Sequence, residues 1–137
     1  MSNKPTVIKN FVNICSITFK AFDFEVVMNE SKSTLWNFTT YYPGRDRKYA
    51  VMCAPDIGKT KALLKIALKK LSNDQKLVIV TSHYTDEDLE AARSSNYCLL
   101  SLAELKKYGD EMLVAREYES QIKSGSDSFV DQVIQKD

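Results

Sequence analysis

LVIVTSHYTDEDLEAARSSNYCLLSLAEL, residues 77–105, is the stretch whose reading decides the fold. Leu77 to Thr81 is a continuous apolar run bounded by turn residues, the pattern of a strand covered on both faces. Thr85, followed by Asp86, Glu87 and Asp88, caps a helix running to about Ser94, because side-chain oxygens there take up orphan N–H groups. Tyr97 to Leu100 is a second short strand. Ser101 with Glu104 then makes a capping box for the next helix, which runs with a break at Gly109 to about Lys123. Strand, helix, strand, helix implies a parallel pair joined by a crossover.

Working back toward the N-terminus, Pro5 is followed by Val7, Ile8, Phe11, Val12, Cys15, Thr18, Phe19 and Phe22 at helical spacing. Asp23 breaks that helix, and Phe24 to Met28 reads as a first strand. Thr34 to Tyr42, rich in aromatic and β-branched residues, is a second strand, and Lys48 to Cys53 a third. Pro43-Gly44-Arg45-Asp46 turns one into the other. Thr60 to Leu71 is a helix with Leu63, Ile66, Ala67 and Leu71 expected on its buried side. The order is α-β-β-β-α-β-α-β-α, an α/β fold of three layers around a mixed central sheet. Residues 1–123 form one domain on this reading, and 124–137 a flexible joint followed by a short tail helix.

At 137 residues the chain can bury one core without staples. Cys15, Cys53 and Cys98 are scattered among apolar neighbours with no C-x-x-C pair, which suits buried thiols in a reducing compartment. His83 is the only histidine, so a structural zinc site is not expected, and neither is a cofactor. No apolar window is long enough to span a membrane, and no signal peptide is expected, so the location is read as intracellular, cytoplasm or nucleus. The formal net charge of +1 hides a polar chain. Residues 45–76 carry nine basic and three acidic side chains, whereas residues 77–137 carry six basic and twelve acidic.

The run from Leu77 to Ala92, then Tyr97 to Leu105, resembles the closing strand–helix–strand of Mrr-like nucleases, members of the restriction-endonuclease-like (PD-(D/E)xK) fold. The first half fits more loosely, and the likeness spans about residues 7–108. The resemblance implies a core of that fold and a Mg²⁺ site built from carboxylates and a lysine. At the corresponding positions this chain offers Asn37 on the second strand, Met52 late on the third, and Ala54 two residues on. Residues 1–22 contain no acid where the first helix often supplies a Glu. Four absences together imply an inactive relative, working as an interaction or scaffolding subunit in a nucleic-acid-handling complex. No catalytic residue and no metal ligand is assigned.

Two alternatives compete. Asp46, Asp56 and Lys59 would form a migrated nuclease site. Gly58-Lys59-Thr60, after an apolar strand and before a helix, would form a degenerate phosphate loop, although Cys53 replaces its first glycine and Pro55 removes an N–H. Lys61, Lys65 and Lys69 recur every four residues as a basic stripe, and with Arg45, Arg47, Lys48 and Lys59 they are the candidate nucleic-acid contacts. The bland reading of such a stripe is a solvated helix face. Ser82 and His83 lack a third member for nucleophilic chemistry, and Trp36, Tyr41, Tyr42 and Tyr49 are read as packing residues of the hairpin. A protein partner or a second copy is expected, and nucleic acid remains a candidate partner.

Overall fold

The computed structural model describes residues 4–29 and 35–123. Helix α1 (Lys4–Ala21) leads into β1 (Glu25–Met28), β2 (Phe38–Tyr41) and β3 (Lys48–Cys53). A short 3-10 turn (Ile57–Lys59) precedes α2 (Lys61–Lys70), β4 (Gln75–Thr81), α3 (Asp86–Ser95), β5 (Cys98–Ser101), α4 (Leu102–Tyr108) and α5 (Asp110–Lys123). The sheet runs β1-β2-β3-β4-β5, antiparallel between β1, β2 and β3 and parallel from β3 to β5. This is the expected element order, with the final helix split in two. The tail at 124–137 lies outside the described residues.

Alternation along the strands sends side chains to two cores. Val51, Cys53, Val78, Val80, Cys98 and Leu100 meet Cys15 and Phe19 of α1, Leu105 of α4 and Leu113 of α5. Ala50, Met52, Leu77, Ile79 and Leu99 meet Ala67 of α2 and Ala92 of α3. Both faces of β3 and β4 are therefore buried, which is why those strands read as unbroken apolar runs.

Two helices stop at non-glycine residues in the left-handed region. Asp23 (φ 71°) follows α1, where Phe24 N–H bonds Phe19 O at 3.1 Å and Asp23 N–H bonds Lys20 O at 3.0 Å. The rings of Phe19 and Phe24 meet edge to face at 5.4 Å, the apolar contact that accompanies this helix end. Asn96 (φ 62°) ends α3 in the same way, with Tyr97 N–H on Ala92 O. The β2–β3 turn closes through Arg45 N–H on Tyr42 O, with Gly44 at φ 91° supplying the angle that a side chain resists.

Three expectations are corrected. Strand β2 begins at Phe38, and residues 35–37 of the expected strand stand before it, with Asn37 bonded outside the regular ladder; the expected start at Thr34 lies outside the described residues. On α2 the buried residue is Ala67, with Leu64, Leu68 and Leu71 half-buried, whereas Leu63 and Ile66 are exposed. Leu64, Leu68 and Leu71 flank Ala67 against that core, which leaves Leu63 and Ile66 toward solvent. On α1, Val7 and Ile8 face solvent and the buried side starts at Val12.

Candidate functional site

Asn37 stands just before β2, beside the C-terminal end of β3. Its backbone N–H bonds Val51 O at 2.8 Å, and its Oδ1 accepts the N–H of Cys53 at 2.7 Å. Asn29 completes the clamp by donating its N–H to Asn37 O and its Nδ2 to Trp36 O. The two bonds of Asn37, to Val51 O and from the Cys53 N–H, set it beside Met52. Met52 and Ala54 share one face of the strand, and both are buried. The three positions singled out from sequence thus come together at one strand end. An amide already engaged with the backbone and two apolar side chains offer a hard cation no charge.

Asp46 and Asp56 do not meet. They flank opposite ends of β3, a six-residue strand that spans roughly 20 Å at about 3.3 Å per residue. The migrated arrangement of Asp46, Asp56 and Lys59 therefore has no common centre. Among the described residues, no group of three His, Cys, Asp or Glu side chains is placed to hold a metal.

The segment between β3 and α2 is a capped turn rather than a phosphate cradle. Asp56 Oδ1 accepts the N–H of Gly58 at 3.0 Å, and Thr60 Oγ1 donates to Ile57 O at 2.8 Å. A carboxylate thus holds the amide that a phosphate would need, and it would repel one. The Thr60 N–H on Ile57 O closes the turn, and the Lys59 side chain is outside what the structure describes.

No protein-family model, curated protein or solved structure matches this chain.

The candidate nucleic-acid contacts divide between two places. Arg45 and Arg47 belong to the β2–β3 turn and reach α5: Arg45 pairs with Asp110 at 3.2 Å and lies over the Tyr42 ring, and Arg47 pairs with Glu117 at 3.5 Å. Lys48 pairs with Asp74 at 3.8 Å. On α2, Lys61 pairs with Asp88 at 3.2 Å, while Lys65 and Lys69 are exposed. The basic middle of the chain is thus partly neutralised by its own acidic half, within one molecule. Tyr42 and Tyr49 pack with Phe24 in one core and Trp36 joins the other, so the hairpin aromatics form no single stacking platform.

Sequence reading missed a polar network at the β5 edge. Arg116, buried on α5, donates Nε to Leu99 O at 2.8 Å and Nη2 to Tyr84 Oη at 2.8 Å. Tyr84 Oη donates to Glu104, whose Oε1 also accepts the N–H of Ser101 in the expected capping box. Burial, then the Glu104 contact, raises the Tyr84 pKa. The guanidinium takes up one carbonyl of β5, the last strand of the sheet, and so ties α5 to it. Only the Ser101/Glu104 spacing signalled it. Nearby Ser82 and His83 are exposed.

The three thiols are buried as expected. Burial pushes the Cys98 thiol up to about 12, and contact with the Cys15 thiol, reinforced by burial, raises Cys53. Both stay protonated at neutral pH and are poor nucleophiles. No helix among the described residues is long and apolar enough to cross a membrane.

Proposed function

We propose that this chain is a non-catalytic module of restriction-endonuclease-like architecture, serving as an interaction or scaffolding subunit of an intracellular nucleic-acid-handling complex. The observation that carries the reading is the strand end at Asn37, Met52 and Ala54. Where the resemblance implies carboxylates and a lysine, an amide is tied to the Cys53 N–H and two apolar side chains are buried. The antiparallel β1–β3 meander followed by parallel β4 adds support, because it brings those positions to one place. The surfaces left for partners are the β1 edge and the outer side of α2, where Lys65 and Lys69 stand beside Leu63 and Ile66. Contact with nucleic acid through α2 would be sequence-independent and weakened by salt.

The test is incubation with DNA and RNA in Mg²⁺ and in Mn²⁺. No cleavage above buffer is expected, and activity abolished by Asp46→Ala or Asp56→Ala would overturn the reading. Binding measured against salt then reports on α2: Lys61/Lys65/Lys69→Ala flattens the slope where these lysines touch phosphates. Absence of binding at low salt assigns the surface to a protein partner.

A further inference from the structure

At the end of the sheet away from Asn37, a cleft of about 500 Å³ opens beside the first residues of β3 and β4. Lys76 and Arg47 line it with Asn96 and Glu117, and Leu68 and Leu71 give it an apolar wall. Lys76 keeps only 9% of its surface exposed. Its Nζ donates to Asn96 Oδ1, and among the described residues no carboxylate stands within ion-pair distance of it. Glu117, which shares the cleft, is engaged elsewhere. Its Oε1 accepts the Tyr49 hydroxyl at 2.7 Å, and its Oε2 pairs with Arg47 at 3.5 Å.

An ammonium carries three donors, and burying it without a counter-charge is costly. Burial accordingly lowers the pKa of Lys76 from the ordinary lysine value. Glu117 answers Arg47 and acts on Lys76 only from beyond ion-pair distance, so Arg47, Lys76 and Glu117 leave the cleft a net positive charge. The buried Lys76, bonded to Asn96, suits a ligand that brings negatively charged oxygens. The C-termini of α2 and α3 point toward this end of the sheet, and their dipoles disfavour an anion. That opposition is reduced on α3, where the N–H groups of Asn96 and Tyr97 take up the carbonyls of Ala92 and Arg93. On α2 it is offset by Lys69 and Lys70 in the last turn.

We propose that this cleft binds a small oxyanion, a carboxylate or a phosphate on a compact organic group. Lys76 is its charge anchor, Arg47 the second cation, and the Leu68–Leu71 wall the seat of the apolar part. The proposal stands independently of the endonuclease-like reading, since it uses the opposite end of the sheet.

The test is a titration of the folded chain with inorganic phosphate, and separately with butyrate, at ionic strength held constant with sodium chloride. The readouts are the NMR shifts of the Asn96 side-chain amide and the Lys76 ε-methylene. Saturable shifts confined to the cleft are expected with at least one probe, and the probe that saturates says which oxyanion the site takes. Lys76→Met should weaken binding at least tenfold, while Lys76→Arg, which keeps the charge, should retain most of it. A melting curve of each variant checks that the fold is intact. Shifts that stay linear with both probes, or that persist unchanged in a folded Lys76→Met, would overturn the proposal.

Discussion

The Oδ1 of Asn37 accepts the backbone N–H of Cys53 at 2.7 Å, so a side chain replaces a strand carbonyl where the β2–β3 ladder ends. An aspartate at this position could make the same bond, whereas an alanine could not. Asn37→Ala is expected to cost about 1–3 kcal/mol, the penalty for a buried donor left without a partner. Asn37→Asp should cost clearly less. Urea unfolding midpoints of the two variants against the parent check the ordering, and equal losses would show that the bond contributes nothing.

Arg116 ties α5 to the outer strand through Leu99 O, Tyr84 and Glu104. Arg116→Met keeps the apolar stem but leaves the Leu99 carbonyl without this donor, while Glu104 keeps its bonds from Tyr84 and Ser101. An acceptor left unsatisfied costs about 1–3 kcal/mol, and that range is expected here because Glu104 keeps its other donors. Amide exchange should locate the loss: faster exchange at β5 and the start of α5, with β2 and β3 unchanged.

Gly109 sits between α4 and α5 at φ 56° and ψ −133°, a region that side chains avoid. A Cβ there would stand 2.4 Å from Cδ1 of Phe22. Gly109→Ala is therefore expected to cost about 3 kcal/mol, combining backbone strain with overpacking. Adding Phe22→Ala should relieve the clash and leave the strain. A double-mutant cycle by thermal unfolding checks this, and strict additivity of the two changes would refute the contact.

Asp88 is held below the usual carboxylate range, chiefly by the Thr85 backbone N–H and with help from Lys61. The folded chain thus gives up this proton at lower pH than the unfolded chain. Its stabilising contribution is complete above the unfolded value of about 3.9 and is lost as pH falls through the lower folded value. The stability gap between the parent and Asp88→Asn should be widest near neutral pH and close in acid. A gap that is constant in urea midpoints down to acid pH would count against the assignment.

Much of the architecture is legible in the sequence because it depends on neighbours a few residues apart. Thr85 and Ser101 begin helices through bonds to residues three positions on, and both capping boxes form as their spacing implies. The apolar run from Leu77 to Val80 is buried on both faces, and Pro43-Gly44 makes the turn its residues favour. The register of β2 against β3 follows from that turn, whereas the bond of Asn37 to the Cys53 N–H lies beyond the ladder and had no local signal. The Arg116 network was invisible, because one arginine on an acidic helix carries no mark of the carbonyl it will reach.

The sequence by itself determined the element order and the parallel closing unit. Only the tertiary structure decided which helical faces are buried. On α2, Leu, Ile and Ala residues cover more than half the circumference, so periodicity admits several orientations, and packing of Leu64, Ala67, Leu68 and Leu71 against the sheet selects one. Only the fold, likewise, joined Arg45 to Asp110, Arg47 to Glu117 and Lys61 to Asp88. Charge along a chain is fixed by composition, but its neutralisation depends on distances of a few ångströms that no local pattern encodes.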